Sequence, residues 1–151
     1  MSWNTNGLRA TAKQGYLNPL FSARGGSASG GKNQVDILCL QETKVEPDQL
    51  PDEVRNIPGY FSYFSHPKIK KGYSGVAIYS KIKPNKIEYG MGIKKLDDEG
   101  RLIVAHYKNF MGLKNLAVIT GYFPNGGAGP HRLEYKLEFY NAFLKFILKL
   151  R

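Results

Sequence analysis

The chain has 151 residues, 42% of them hydrophobic, so its length suits a single domain with an apolar core. Its 22 Lys and Arg residues outnumber 12 Asp and Glu residues, and the net charge of +10 favours an anionic partner such as nucleic acid over a merely basic surface. The single cysteine excludes an intramolecular disulfide, and neither a signal peptide nor an apolar run of about 18 residues is visible. These features predict an intracellular protein without a membrane partner.

Hydrophobic periodicity and turn residues predict strands that alternate with a few helices. Residues 8–22 are predicted to form a helix capped by Asn6, and residues 24–32 a flexible loop. A buried strand over residues 35–40 and a short helix around residues 48–55 follow. Strands are predicted next over residues 60–65, 75–80, 86–91, 101–107 and 115–121. Because no helix interrupts them, they favour an antiparallel or mixed sheet over a parallel doubly wound fold.

The last twenty residues carry the clearest helical pattern. Apolar side chains recur at three-to-four spacing from Leu133 to Leu150 and form a wide face, with Lys136, Lys145 and Lys149 outside it. The width of this face predicts deep burial against a sheet. A basic amphipathic helix that lies on a membrane is the alternative.

An acidic residue follows a run of four apolar residues in the segment from Asp36 to Lys44. The run predicts a buried strand that ends at Glu42, and the carboxyl ends of strands in open α/β sheets collect ligands and catalytic groups. A carboxylate at such a position suits a hard divalent cation. The segment alone also allows Glu42 to meet water or to pair with Lys44. Cys39, inside the run, is interpreted as a core residue rather than a nucleophile.

Five blocks of sequence form a recognisable series when they are taken in order. They are Ser-Trp-Asn-Thr-Asn-Gly-Leu-Arg-Ala at 2–10, the segment 36–44, Gly-Tyr-Ser-Gly-Val-Ala-Ile-Tyr-Ser-Lys at 72–81, Asp-Glu-Gly-Arg at 98–101 and Gly-Tyr-Phe-Pro-Asn at 121–125. Together with Arg-Leu-Glu-Tyr at 132–135, this series resembles the exonuclease III type of apurinic/apyrimidinic endonuclease, within the endonuclease/exonuclease/phosphatase superfamily. The resemblance implies a four-layer α/β/β/α sandwich of the DNase I-like type, with a mixed, largely antiparallel sheet and outer helices.

The resemblance also implies an activity. It indicates a base excision repair endonuclease that hydrolyses the phosphodiester 5′ to abasic sites in double-stranded DNA with Mg²⁺, or alternatively Mn²⁺, and it leaves 3′ exonuclease activity open. The compartment would be the cytoplasm in a bacterium, and the nucleus or an organelle in a eukaryote. Two alternatives remain, a non-catalytic DNA-binding fragment and a phosphoesterase of the same superfold that acts on another substrate.

The series covers only the first half of the family pattern. Residues 1–151 are therefore expected to be the amino-terminal portion of one domain, with the first strand clipped and a carboxyl-terminal half to be supplied. The inner face of the sheet should then be uncovered, and the isolated chain should be impaired in catalysis or inactive.

Individual roles follow from the resemblance, position by position. Glu42 is expected to bind the metal, Asn6 to assist it as a weaker ligand and Asn4 to hold the surrounding hydrogen bonds. Tyr122 and Asn125 are expected to contact the scissile phosphate, although their spacing also fits an ordinary turn.

Basic and aromatic residues supply the candidate DNA contacts, because cations bind phosphates and an aromatic ring can press into a groove. The candidates are Arg9, Lys13, Lys44, Lys68, Lys71, Tyr73 and Arg132. A solvated loop is the alternative for the lysines. Ala128 stands where some relatives place an arginine that inserts into the duplex. The three histidines, His66, His106 and His131, lack the spacing of a zinc site and are expected to have surface or packing roles.

Overall fold

Seven strands and five α-helices make up the described part of the chain. The computed structural model describes residues 1–21, 35–68 and 70–150. The strands are β1 (Ser2–Asn4), β2 (Ile37–Gln41), β3 (Phe61–Ser65), β4 (Val76–Ser80), β5 (Lys86–Tyr89), β6 (Leu102–Phe110) and β7 (Leu113–Gly121). The helices are α1 (Leu8–Lys13), α2 (Asn18–Phe21), α3 (Asp52–Arg55), α4 (Lys94–Asp97) and α5 (Pro130–Lys149), with a 3₁₀ turn at Pro47–Gln49.

The strands form two sheets. The first has the order β1-β2-β4-β3, in which β1 runs parallel to β2 and the other neighbours are antiparallel. The second has the order β5-β6-β7 and is antiparallel throughout. The mixed, largely antiparallel arrangement predicted from the run of strands is confirmed.

The two sheets pack against each other and share a core. Cys39 and Ile78 of the first sheet meet Ile103, Ala105 and Tyr107 of the second, because alternate residues of a strand point to the same face. Burial raises the pKa of the Cys39 thiol, as suits a core residue. The expectation that the inner sheet face would be uncovered is therefore wrong, since this chain supplies strands to both sheets.

A second core lies on the other face of the first sheet. Leu38, Leu40 and Tyr79 pack there with Leu8 of α1 and with Leu17. With α5 at the opposite side of the sandwich, this arrangement gives the helix, sheet, sheet and helix layers of the DNase I-like fold, as predicted.

Several boundaries differ from the sequence prediction. The helix predicted over residues 8–22 is interrupted between Lys13 and Asn18, where Gly15 adopts a φ of +74°. Asn6 does not cap α1, because Gly7 occupies the capping position and no side-chain cap forms. The three-residue strand β1, Ser2–Asn4, was not predicted from the hydrophobic periodicity. The loop predicted over residues 24–32 lies outside the described residues.

The long hairpin β6–β7 extends past both predicted strand ends. Its turn is formed by Met111 and Gly112, and these two residues and Asn109, near the end of β6, have positive φ. Asn and Gly are typical of turns, so they hid the continuation of both strands in the sequence. Helix α4 was not predicted, and the predicted helix near residues 48–55 is divided into the 3₁₀ turn and α3 by Pro51.

Helix α5 is less deeply buried than its wide apolar face predicts. Phe139 is completely buried, and its ring packs edge-on against Phe123 at a centroid distance of 5.3 Å. A second apolar stripe on the helix is exposed instead. Across the described residues, no helix combines the length and apolar character that crossing a membrane would require.

Candidate active site

Three strand ends meet at one edge of the sandwich and carry polar side chains there. Asn4 ends β1, Glu42 follows β2 directly and Tyr122 follows β7 directly. The parallel pairing of β1 with β2 sets Asn4 opposite Gln41, so the Asn4 side chain reaches the next residue of β2. Asn4 Nδ2 donates a hydrogen bond of 2.7 Å to Glu42 Oε1. The Gln41 side chain donates to Thr120 Oγ1 at 2.9 Å and joins β2 to β7 close to this point.

Glu42 is held as a carboxylate by three donors. Lys44 Nζ lies 3.0 Å from Glu42 Oε2, Asn4 binds the other oxygen, and the Tyr122 hydroxyl also donates to the carboxylate. Burial alone would raise the pKa of Glu42, but the hydrogen bonds and the charge of Lys44 outweigh it and hold the pKa below its usual range. Glu42 is therefore ionised at neutral pH.

The segment after β1 binds along the segment after β2. The amide of Gly7 donates to the Glu42 carbonyl at 2.8 Å, and the amide of Leu8 donates to the Thr43 carbonyl at 2.9 Å. Lys44 also donates to Asn6 Oδ1, while the Asn6 amide donates to Asn4 Oδ1 at 3.0 Å. Asn4, Asn6, Glu42 and Lys44 thus form one connected set of hydrogen bonds.

Left-handed backbone conformation is concentrated at this set. Asn6, Glu42 and Lys44 have φ of 47°, 51° and 51°, and neighbouring Ser74 has φ of 52°. Each such non-glycine residue costs about 1–2 kcal/mol, so the surrounding structure must hold it in place. The Lys44 amide is anchored by the Ser74 carbonyl at 2.8 Å. Strain of this kind commonly marks functional segments.

Tyr122 is positioned as a protonated donor. Burial raises the pKa of its hydroxyl, and the hydrogen bond to Glu42 together with the negative charge of Glu42 raises it further, against a smaller opposing effect of Arg101. The Tyr122 amide donates to the Arg101 carbonyl at 2.9 Å, and Arg101 Nη1 donates to the Tyr122 carbonyl at 2.8 Å. The backbone of Tyr122 is therefore fixed from both sides.

A buried arginine connects this site to a second network. Arg101 is 1% exposed, and its Nε donates to Glu99 Oε2 at 2.6 Å while its Nη2 donates to the Tyr73 hydroxyl at 2.9 Å. Its guanidinium lies 4.9 Å from the centre of the Tyr122 ring and 5.4 Å from that of the Tyr73 ring. Arg132 joins the network through Glu99 Oε1 at 2.8 Å and the Tyr73 hydroxyl at 3.0 Å.

Sequence reasoning used the block at residues 98–101 for the resemblance but gave Arg101 no role. The sequence does contain a sign of a structural role for Arg101. It stands directly before the apolar run that begins β6, and this position places a charged group at the end of a buried strand. The same network shows that Arg132 and Tyr73, both proposed as DNA contacts, already bind Glu99 and Arg101 within the protein.

The other predicted site residues lie apart from Glu42 or on the surface. Asn125 is exposed, and its Oδ1 accepts a hydrogen bond of 2.8 Å from the Gly127 amide within its own turn. Arg9 and Lys13 are exposed on α1. Lys68 and Lys71 have side chains that are 73% and 80% exposed, and they form peripheral ion pairs with Asp98 and Glu46.

The histidines take no part in the site. His106 binds Glu88 between β5 and β6, His131 is exposed at the start of α5, and His66 follows β3. These positions agree with the packing and surface roles expected from the sequence.

The donor set suits a magnesium ion with one protein carboxylate. Mg²⁺ is usually held by one or two carboxylates and keeps several water ligands. Glu42 supplies one carboxylate, and the Asn4 and Asn6 amide oxygens are hard, neutral donors close to it. Within the described ranges of the chain, no three His, Cys, Asp or Glu side chains come together to hold a metal. A cation at Glu42 would share that carboxylate with the Lys44 ammonium.

Comparison with known proteins gives the site its family context. The model of the endonuclease/exonuclease/phosphatase family matches residues 1–151. The chain belongs to this family. It is 40% identical over 149 residues to Recombination repair protein 1 of Drosophila melanogaster, a match that covers 99% of the chain and 19% of that protein. It is 36% identical over 151 residues to an exodeoxyribonuclease of Bacillus subtilis, covering 99% of the chain and 52% of that protein.

A solved structure of the family has the same fold. The crystal structure of the Xenopus laevis APE2 catalytic domain superimposes with a TM-score of 0.78 at 31% identity, and the match covers 99% of this chain and 54% of that one. The family resemblance and the fold predicted from the sequence are both confirmed. The chain spans about half or less of the length of these family members.

Proposed function

We propose that this chain carries part of the active site of a metal-dependent DNA repair nuclease that hydrolyses the phosphodiester 5′ to an abasic site in double-stranded DNA. The observation that carries the proposal is the convergence of Asn4, Glu42, Lys44 and Tyr122 at adjoining strand ends. The names of the relatives, an exodeoxyribonuclease and a recombination repair protein, support a nuclease that works on intracellular DNA. Residues 1–151 would act as the amino-terminal portion of one catalytic domain.

Phosphodiester hydrolysis requires neutralisation of developing charge, an activated water and donors to the phosphoryl oxygens. A divalent cation, held by Glu42 with help from Asn6, would supply the first of these. Tyr122, kept protonated by its surroundings, would turn its single hydroxyl hydrogen from Glu42 to a phosphoryl oxygen when DNA binds, without a change in charge. Asn125 offers a neutral amide donor from the adjoining turn. Lys44 orients the Glu42 carboxylate and adds a positive charge beside the phosphate.

The DNA duplex would lie across the exposed cations around this site. Arg9 and Lys13 on α1 and Lys68 and Lys71 in the loop before β4 are exposed enough to contact phosphates, which would position the duplex without reading its sequence. Lys68 and Lys71 would exchange their surface ion pairs for these contacts. Tyr73 and Arg132 would contribute from the buried network, so their role combines support of the site with contact at its rim.

One observation favours a second function, DNA binding without catalysis. Glu42 is already neutralised by Lys44 at 3.0 Å, and among the described residues no group of three His, Cys, Asp or Glu side chains could hold a metal ion. Such a module would bind duplex DNA with a salt-dependent affinity and without preference for abasic sites.

An incision assay distinguishes these functions. Residues 1–151 would be incubated with a duplex that contains one abasic-site analogue in Mg²⁺, alone and after mixing with the carboxyl-terminal half of the Bacillus subtilis exodeoxyribonuclease. We expect incision only in the mixture, and we expect Glu42→Gln to reduce its rate about 100-fold or more, because charge stabilisation by a bound metal is worth several kcal/mol. EDTA should abolish the activity.

Glu53→Gln is the matched control, because Glu53 is exposed on α3. It should leave the incision rate unchanged. Incision that survives Glu42→Gln would contradict the role of Glu42. Incision by residues 1–151 alone would contradict the half-site arrangement, and binding without incision in both samples would favour the DNA-binding module.

A further inference from the structure

Helix α5 carries an exposed apolar stripe in addition to the face that packs inward. The residues of the stripe are exposed by between 41% and 56%, although each is large and apolar, and they are Leu133, Leu137, Tyr140, Leu144 and Leu148. Their spacings of four, three, four and four residues place them on one side of the helix, over a length of about 22 Å. Together they present on the order of 400 Å² of apolar surface, which is the size of the largest apolar patch on a typical monomer, and such a patch is often functional.

The order of residues in the stripe is nearly the same in both directions. Measured from Tyr140, leucines stand at three and seven residues before it and at four and eight residues after it. A twofold interface between identical chains requires a surface that matches itself when it is reversed. If a second α5 lies antiparallel to the first, Leu133 meets the region of Leu148 in the other copy, Leu137 meets Leu144, and the two Tyr140 rings meet at the centre.

The charges beside the stripe match the same arrangement. Glu134 and Lys145 are eleven residues apart, about three full turns, so they lie on the same flank of the stripe. Glu134 is six residues before Tyr140 and Lys145 is five residues after it, which sets each opposite the other in an antiparallel pair. Neither side chain forms an ion pair within the described part of the chain. A parallel pair would instead carry the flank with Glu134 and Lys145 to opposite sides of the two helices, so that it would form neither ion pair.

We propose that the α5 stripe is a self-association surface on which a second copy of this chain packs its own α5 in antiparallel orientation. The dimer would be held by the leucines and Tyr140, with two Glu134–Lys145 pairs at its rim. This inference does not depend on the nuclease function, since none of the site residues Asn4, Glu42, Lys44 and Tyr122 belongs to the stripe. One face of the Tyr140 ring stacks on Phe123 at a centroid distance of 5.0 Å, and this contact fixes the ring at the centre of the stripe.

Sedimentation velocity over a series of protein concentrations tests the proposal. The wild-type chain should sediment as a dimer that dissociates on dilution, and Leu144→Glu should raise the dissociation constant at least about tenfold, because it places a charge at the centre of an apolar contact. Ile82→Glu is the matched control, since Ile82 is 50% exposed beyond β4 of the other sheet, against 54% for Leu144. Circular dichroism would confirm that each variant is folded.

A charge exchange tests the orientation. Glu134→Lys should weaken the dimer several-fold, and addition of Lys145→Glu in the same chain should restore it. A wild-type chain that remains monomeric at every concentration would overturn the proposal, as would dissociation by Ile82→Glu equal to that by Leu144→Glu. Failure of the exchanged pair to restore the dimer would overturn the antiparallel arrangement. Binding of the monomeric chain to lipid vesicles through Leu144 would assign the stripe to a membrane surface instead.

Discussion

At the scale of single residues, the side chain of Arg101 connects Tyr122 in the candidate active site with the network of Glu99, Tyr73 and Arg132. It binds Glu99 on one side and lies between the rings of Tyr73 and Tyr122 on the other, while being 1% exposed. A buried charge is stable only when it is paired and hydrogen-bonded. Glu99 supplies the negative charge that pairs with Arg101. Burial would raise the pKa of Glu99, but the hydrogen bonds and charges of Arg132 and Arg101 hold that pKa below its usual range, so the carboxylate stays ionised.

Arg101→Met should lower the free energy of unfolding by about 3–5 kcal/mol. Methionine fills much of the same space, but the half-buried Glu99 then loses one of its two arginine partners. Arg55→Met is the control, because it removes an arginine whose ion pair with Asp52 is at the surface. Urea unfolding should show a large loss for the first variant and little change for the second. Similar small losses in both would contradict the structural role of Arg101.

The residues of the site differ in how far the sequence could predict them. Glu42 and Tyr122 follow apolar strands directly, so their placement at a sheet edge could be predicted from local pattern. The pairing of Arg132 with Glu99 could not, because the two residues are 33 positions apart and no local pattern relates their side chains. Asn125 was associated with Tyr122 by its position in the sequence, whereas its side chain binds within its own turn.

At the scale of elements, the start of β4 supports the loop that carries Glu42. The Thr43 amide donates to the Gly75 carbonyl at 3.1 Å, and the Lys44 amide donates to the Ser74 carbonyl at 2.8 Å. These two hydrogen bonds fix the backbone of the turn directly after Glu42. Gly75 has a φ of +86°, and a Cβ at this position would overlap the buried hydroxyl of Thr43. Glycine is therefore required at position 75 because of its positive φ and because the Thr43 hydroxyl leaves no room for a side chain.

Gly75→Ala should reduce the free energy of unfolding by about 2–4 kcal/mol, as the sum of left-handed strain and steric overlap. Gly59→Ala separates these effects, because Gly59 has a similar φ of +82° and nothing within 4 Å of an added Cβ. It should cost only about 1 kcal/mol, which is the conformational part alone. Thermal or urea unfolding of the two variants provides the comparison. Equal losses would show that Thr43 moves away and that the packing at Gly75 is loose.

Strands were predicted more reliably than helices in this chain, for physical reasons. The interiors of β2, β4 and β6 are buried, so apolar residues mark them continuously. Strand β1 has three residues and depends on pairing with residues of β2 that lie 37 positions later, which no local signal reveals. Residues 8–21 contain enough apolar residues for one helix, but Gly15 adopts a positive φ and breaks it. Because the chain turns there, Leu17 packs in the core beside Leu8.

At the scale of the whole molecule, an exposed concentration of positive charge among the described residues lies on the loop before β4. The loop that carries Lys68, Lys70 and Lys71 is attached to the Arg101 network, since the Lys68 amide donates to the Asp98 carbonyl at 2.9 Å and Tyr73 binds Arg101. Lys108 and Lys114 lie near the turn of the β6–β7 hairpin instead. Strands of nine residues separate that turn from Tyr122 by roughly 25 Å.

This separation allows a direct test of where DNA binds. Replacing Lys68 and Lys71 together by alanine should weaken duplex binding uniformly across sequences and reduce the slope of log affinity against log salt by about 2, because each lost phosphate contact removes about 0.9 from the slope. The matched pair Lys108→Ala and Lys114→Ala removes the same charge from the opposite end of the second sheet and should leave the slope unchanged. Fluorescence anisotropy over a salt series measures both. Equal reductions in the two double variants would mean that the net charge of +10, rather than a surface beside Glu42 and Tyr122, attracts the duplex.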